Sequence, residues 1–432
     1  MAGLTWLHLS DWHQKEKKEK DFDRQVVLDA LIKDIKNRKA ISQDLEKIDF
    51  IVFSGDVAFS GKAEEYTAAK EELFDPLLKE CNLSPENLFI VPGNHDLDRA
   101  KFGLLPAPLL KPLESNIEAK DWLFDSEKRS EALKPLKAFT SFVSNYTKQE
   151  NSDYANIRKL EIDGKKIALV GFNSAWMCGR RKNSKGEIDD KGVVVVGEPQ
   201  IHDLLESISE FDIKIAVLHH PFDWLADFES SQIMSRLMKG CDFILRGHQH
   251  EPQVAVIRST LGNSVVIPAG ACYDRRTYAN SYNFVCLDFK SGKRVAFLRC
   301  WNGKDKWRED IDSCSGGKFE IFLPSLAPDN QLSSTDSQKN QREGVIDQGK
   351  QIIDVPFPVP RQIPSPPIDF KGREDEISVI LSDFDKGATI TGLRGMGGIG
   401  KTTLALVLAD KLKDRFPGGQ IFSICSEPIE TL

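Results

Sequence analysis

The sequence predicts an α/β fold, on three observations. Short apolar runs alternate with stretches of helical periodicity from the N-terminus to about residue 300. Several runs are almost continuously apolar, such as Ile213-Lys214-Ile215-Ala216-Val217-Leu218, as strands are when both faces of a sheet are covered. The chemically distinctive residues follow these runs directly, where open α/β sheets place their ligands.

On this reading strands occupy 4–9, 49–53, 87–91, 166–171, 213–218 and 242–245. Helices fall between them at 21–38, 63–80, 198–209 and 228–239. Residues 100–160 interrupt the alternation. A proline-broken stretch at 105–113 precedes a helical pattern at 116–147, read as an insertion packing on the sheet, with a cap over the site as the alternative. After residue 250 the pattern turns to β (253–258, 264–268, 282–288, 293–299), as a second sheet closing the domain would require. Between 325 and 367 the composition becomes polar and then proline-rich, with prolines at 356, 358, 360, 364, 366 and 367, which marks a linker. Order returns with a helix at 373–382, a strand at 387–391, a glycine loop, a helix at 401–414 and a strand at 419–424. The expected domains are therefore 1–324, the linker 325–367, and 368–432.

A chain of 432 residues is long for one core. Its 40% hydrophobic and 28% charged residues are those of an ordinary soluble globular protein. A net charge of −7 argues against an extended basic surface for nucleic acid, though not against a local patch. Eight cysteines are scattered without a CxxC pair, which suggests a reducing compartment. No signal peptide and no apolar stretch of roughly 18 residues is found, so the expected location is the cytoplasm, without a membrane partner.

Six of the eight histidines lie in five short clusters: Asp11-Trp12-His13, Gly55-Asp56, Gly93-Asn94-His95-Asp96, His219-His220 and Gly247-His248-Gln249-His250. Asp11, His13, Asp56, Asn94, His219, His248 and His250 supply seven nitrogen and oxygen ligands, about what two metals need when they share a carboxylate and waters. Imidazoles mixed with hard oxygens suit Mn, Fe or Zn. Two such ions clamp a phosphoryl group and acidify water. His95, between Asn94 and Asp96, is placed to protonate a leaving oxygen, and Asp56 and Asp96 join it as catalytic candidates. His220 reads as a supporting or packing residue, and His8 and His202 as structural ones. Gly179-Arg180-Arg181-Lys182 is a solvated loop or, alternatively, a phosphate-steering patch.

In this order, these clusters resemble the signature of the calcineurin-like metallophosphoesterases over residues 4–300. The resemblance implies a sandwich of two sheets flanked by helices. It implies one metal on Asp11, His13, Asp56 and His250, and another on Asp56, Asn94, His219 and His248, with His95 as the acid. The family's protein phosphatases continue Gly-Asp to an Asp-Arg-Gly. Here Val57-Ala58-Phe59-Ser60-Gly61 follows, which points instead to the phosphodiesterase and nuclease branch, with a phosphodiester, nucleic acid included, as substrate. Rival readings are a cyclic-nucleotide or other small-molecule phosphoesterase and a non-catalytic assembly module.

Gly395-Met396-Gly397-Gly398-Ile399-Gly400-Lys401-Thr402 fits a P-loop between an expected strand and helix. Glycines let backbone N–H groups turn inward on phosphates, Lys401 reaches the terminal phosphates and Thr402 meets Mg²⁺. Gly395, Gly397, Gly398, Gly400, Lys401, Thr402, Thr403 and Arg373 are the candidate residues for ATP or ADP. With Phe370-Lys371-Gly372-Arg373-Glu374 ahead of it, this stretch resembles the start of an NB-ARC module of the STAND signalling ATPases. That resemblance implies a nucleotide switch, a homo-oligomer and a role in bacterial defence. Only 38 residues run from Gly395 to Leu432, so an incomplete partial P-loop α/β domain with weak ATPase activity is expected.

Overall fold

The computed structural model describes residues 3–16, 21–148, 150–152, 155–249, 255–259, 262–277, 279–322, 372–385, 401–413 and 415. The chain divides into two units, Met1–Leu332 and Ser333–Leu432.

In the first unit two sheets face each other. The strands in chain order are β1 (Gly3–Leu9), β2 (Phe50–Phe53), β3 (Leu88–Ile90), β4 (Glu150–Ser152), β5 (Ala155–Ile162), β6 (Lys165–Phe172), β7 (Ile213–Val217), β8 (Phe243–Arg246), β9 (Ala255–Ser259), β10 (Gly262–Pro268), β11 (Ser281–Asp288), β12 (Lys293–Trp301), β13 (Trp307–Glu309) and β14 (Lys318–Phe322). One sheet runs β13-β12-β11-β1-β2-β3, with β14 also on β12; the other runs β4-β5-β6-β7-β8-β10-β9. β1, β2 and β3 are mutually parallel, as are β6, β7, β8 and β10, while β11 joins β1 antiparallel.

Alternation along each strand sends one set of side chains between the sheets and the other outward. Leu4 and Trp6 of β1, Ile213, Ile215 and Val217 of β7, and Phe243 and Leu245 of β8 share the inner core. There the Trp6 ring stacks on Phe50 at 5.6 Å and meets Phe243 of the opposite sheet edge-on at 5.0 Å. Leu7, Leu9, Ile51 and Phe53 point the other way, onto helices. The helix Phe22–Lys36 covers them with Val27, Leu28, Leu31 and Ile35, and Asp21 caps its start by accepting from the Arg24 N–H at 3.1 Å. Each fully buried Leu, Ile or Phe contributes on the order of 1.5–3 kcal/mol, so burial on two faces is what makes these runs continuously apolar.

Several expectations change. The strands after residue 250 form no sheet of their own: β9 and β10 extend the second sheet, and β11 and β12 extend the first alongside β1. Part of the 100–160 interval is β, since β4 and β5 pair with each other and β5 with β6. The single helix expected at 63–80 is Ala63–Ala69, a π turn at Lys70–Phe74, and Asp75–Cys81. Pro76 lacks the N–H of a regular turn, and the wider turn accommodates it. The helix expected at 116–147 is three: Asn116–Phe124, Ser126–Ala132 and Lys137–Thr147, broken where Asp125 caps the second and Pro135 precedes the third. The last of these packs Phe142 on Tyr66 (5.3 Å) and Tyr146 on Phe74 (6.4 Å).

In the second unit, the helices Glu374–Asp385 and Lys401–Lys411 pack through Ile377, Leu404 and Leu408. The linker 325–367, the strands expected at 387–391 and 419–424, and Gly395, Gly397, Gly398 and Gly400 lie outside the described residues. Lys401, Thr402 and Thr403 open the second helix, and Arg373 pairs with Glu376.

Candidate metal centre

Beyond β1 and β2 the two chains stay side by side. Asp11 N donates to Gly55 O at 2.9 Å, His13 N to Asp56 O at 3.0 Å, and Gln14 N to Val57 O at 2.8 Å. This pairing bends the backbone into the left-handed region at Asp11 (φ 53°), His13 (49°) and Asp56 (57°), and His248 joins them at 68°. Such non-glycine conformations cost on the order of 1–3 kcal/mol each. Four of the eight among the described residues fall on candidate ligands, so strain is concentrated where chemistry was expected.

The strand ends of both sheets converge here. His219, after β7, donates from Nδ1 to Ser54 O at 2.8 Å, which leaves Nε2 as an available ligand atom, 3.3 Å from Asp56 Oδ2 and 3.2 Å from His248 Nδ1. His248 N donates to Asp11 Oδ2 at 3.0 Å, and His13 Nε2 lies 3.7 Å from Asp11 Oδ1. Asp56 Oδ1 accepts from His95 N at 2.7 Å, and the His95 ring meets His13 edge-on at 4.6 Å. Two groups of potential ligand atoms share Asp56: Asp11, Asp56 and His219, and His13, Asp56 and His95. A third comprises His219, His220 and His248. Close approach requires glycines nearby. A Cβ on Gly55 (φ 108°) would lie 2.3 Å from His219 Nδ1, and one on Gly93 would lie 2.1 Å from Asp56 Oδ1.

A family model for calcineurin-like phosphoesterases matches residues 4–252. The chain belongs to that family. The family is one of metal-dependent phosphoesterases. Its curated relatives include the uncharacterized metallophosphoesterase-like protein YydB of Bacillus subtilis (strain 168), 22% identical over 314 residues. That match covers 70% of this chain and 61% of YydB, so the chain spans about three-fifths of that relative. Matching solved structures include GAP50, the anchor in the inner membrane complex of Plasmodium (TM-score 0.39, 13% identity, 71% of this chain and 88% of that one). Another is the calcineurin-like phosphoesterase YfkN of Bacillus subtilis (TM-score 0.33, 14% identity, 76% and 92%).

The pocket of this chain fits the two divalent ions that the family binds. Asn94 Oδ1 is buried without a hydrogen-bond partner, a cost of about 1–3 kcal/mol for such a group that coordination would remove. The field is also suitable. Burial alone would raise the Asp56 carboxyl, but the imidazoles of His219, His95 and His13 outweigh it and hold it well below the usual carboxylate range. Burial lowers His219, yet Asp56 and Asp11 raise it to about 9. Carboxylates this buried draw positive charge into the pocket. His250 lies outside the described residues.

Asp96, expected among the catalytic groups, is engaged elsewhere. Its carboxylate accepts from Ala58 N (2.9 Å), Gly93 N (2.9 Å), Val57 N (3.3 Å) and the Tyr66 hydroxyl (3.1 Å). It ties the Asp56 loop to the Asn94 loop. His220 likewise has its ring nitrogens occupied, by Ser174 Oγ at 2.8 Å and Cys178 Sγ at 3.6 Å. His8 bonds Ser54 Oγ at 2.9 Å between the sheets, and His202 is exposed beside Glu206. The solvated-loop reading holds for Arg181 and Lys182 but not for Arg180. Arg180 is buried, 4.1 Å from the Phe102 ring centroid and bonded to Leu109 O, and Arg181 is held by Asp189.

Sequence reasoning missed Arg24. Its guanidinium lies between the rings of Trp12 (4.7 Å) and Tyr273 (4.3 Å) and donates to Trp12 O (2.6 Å) and His13 O (3.1 Å). Nothing at sequence level separates it from a solvated first-turn arginine.

Proposed function

We propose that this phosphoesterase hydrolyses phosphodiesters, with Asp11, His13, Asp56, Asn94, His219, His248 and His250 holding two divalent ions, Mn first among the candidates. The observation that carries this reading is the meeting of Asp11, Asp56 and His219 within 4.8 Å of one another, with Asp56 shared by His13 and His95. Bound ions supply Lewis acidity, polarising the phosphoryl group and lowering the pKa of water. The side chains orient and move protons around that chemistry. His95 Nδ1 is fixed on Phe59 O at 2.9 Å. Its Nε2 is the ring nitrogen left to hand a proton to the leaving oxygen. Asp96 keeps the two ligand loops in register through its bonds to Val57, Ala58 and Gly93, and acts in catalysis by holding Asp56 and His95 in place. The absence of an Asp-Arg-Gly after Asp56 favours a diester over a phosphoprotein.

Residues 368–432 are proposed as the start of a STAND-type switch binding ATP or ADP with Mg²⁺, linked through 325–367 to the hydrolase at 1–324. The support is the motif ending in Lys401-Thr402 and a helix, Lys401–Lys411, that begins at its lysine. Cytoplasmic defence signalling through a homo-oligomer belongs to the same proposal. No described helix is long and apolar enough to cross a membrane.

A substrate panel tests the phosphodiester reading. With Mn²⁺, bis-p-nitrophenyl phosphate should turn over at least about tenfold faster than p-nitrophenyl phosphate, and EDTA should abolish both. A preference for the monoester, or no turnover with Mn²⁺, Fe²⁺ or Zn²⁺, would overturn it.

A further inference from the structure

Resting on that phosphodiester reading, we infer that the groove running from His95 past Phe59 and between the helices Ala63–Ala69 and Lys137–Thr147 binds a single-stranded nucleic acid. A cleft of about 240 Å³ beside His95 is lined by Phe59, Lys62, Asp98 and Arg99. Lys62 and Asp98, paired with each other, also line a larger groove of about 1020 Å³, so the two adjoin across that ion pair. One drug-sized ligand takes roughly 300–1,000 Å³, so the larger groove, at about 1020 Å³, has room for an extended ligand.

Both ingredients of strand binding are present. Phe59 is 44% exposed, its ring is 5.6 Å from that of His95, and the Lys15 ammonium is 4.7 Å from its centroid. An exposed ring at that place is a platform for a base, worth about 1–3 kcal/mol in stacking. Farther along, Phe142 and Tyr146 line the groove, with Lys70, Lys101, Lys134 and Lys137 around them. Lys62, Lys70 and Lys134 each pair with a carboxylate (Asp98 2.5 Å, Asp75 2.8 Å, Glu131 2.5 Å). Lys101 and Lys137 are exposed, and no ion pair forms between them and a carboxylate among the described residues. Cations without a counter-charge beside aromatic rings match a polyanion with bases. Aromatic rings lining the groove can stack on unpaired bases, which a single strand offers and a duplex does not.

Single strands of increasing length, a matching duplex and bis-p-nitrophenyl phosphate are compared with the full chain in Mn²⁺. In parallel, anisotropy of a labelled strand is read in EDTA. kcat/KM should rise about tenfold with strand length, chiefly through KM, and salt should weaken binding. Phe59→Ala, and Lys101→Glu with Lys137→Glu, should each lower the ratio of strand to bis-p-nitrophenyl phosphate turnover, and the affinity in EDTA, about tenfold. Circular dichroism confirms the fold of these surface variants. Turnover of bis-p-nitrophenyl phosphate with no length preference, equal cleavage of duplex, or unchanged ratios in the variants would overturn the groove alone. No turnover of any diester would remove the phosphodiester reading and the groove with it.

Discussion

Arg24 stands under the loop that presents Asp11 and His13, and it is the residue whose loss should separate folding from metal capture. Its two bonds satisfy the carbonyls of Trp12 and His13 in a stretch already strained at φ 53° and 49°. Arg24→Met preserves much of the packing between Trp12 and Tyr273 but leaves both carbonyls unpaired, about 1–3 kcal/mol for each. Mn²⁺ titration calorimetry should show affinity about 10–100-fold weaker, as for other residues that orient metal ligands, while circular dichroism stays native. An unchanged titration would remove Arg24 from the site. The candidate ligands themselves were legible because Asp, Asn and His at strand ends are rare enough to stand out. Arg24 was not, because its role comes from a fold that brings the first helix beneath β1.

At the scale of elements, Glu229 joins the helix Ser230–Gly240 to the segment ahead of the helix Glu198–Ser207. Its buried carboxylate accepts from Val196 N at 2.6 Å and Gly197 N at 3.0 Å. Burial pushes its pKa up from 4.5 to about 7, against the pull of those two bonds. Between those values the folded chain keeps a proton that the unfolded chain has released. Its contribution to stability therefore falls as pH rises from about 4.5 to about 7 and is level above. Urea unfolding of the wild type minus that of Glu229→Gln should slope downward across that window. A flat difference would show that Glu229 titrates as in the unfolded chain. The strands with two buried faces were readable from their apolar runs. β5 was not, since Ala155–Ile162 mixes Arg158, Lys159 and Glu161 into a run lying against a helical pattern. The division of strands between two sheets was equally hidden, because β11 returns to β1 across more than 270 residues, a pairing no local pattern encodes.

For the molecule as a whole, two sheets deliver ligand loops to one edge. β1, β2 and β3 bring Asp11, Asp56 and Asn94, and β7 and β8 bring His219 and His248. The order of motifs made that convergence readable without coordinates, since each followed an apolar run. A shared Asp56 was already implied by the family resemblance; what the structure adds is how closely Gly93 and His219 approach that one carboxylate. The most direct measurement of this arrangement is the metal content of Mn²⁺-reconstituted protein, taken together with diester turnover, in the wild type and in Asp56→Asn. The wild type should hold two ions per chain, and the variant one or fewer, with turnover lower by at least ~10³-fold, about 4 kcal/mol. An Asp56→Asn protein that retains both ions and wild-type turnover would contradict the shared-carboxylate centre.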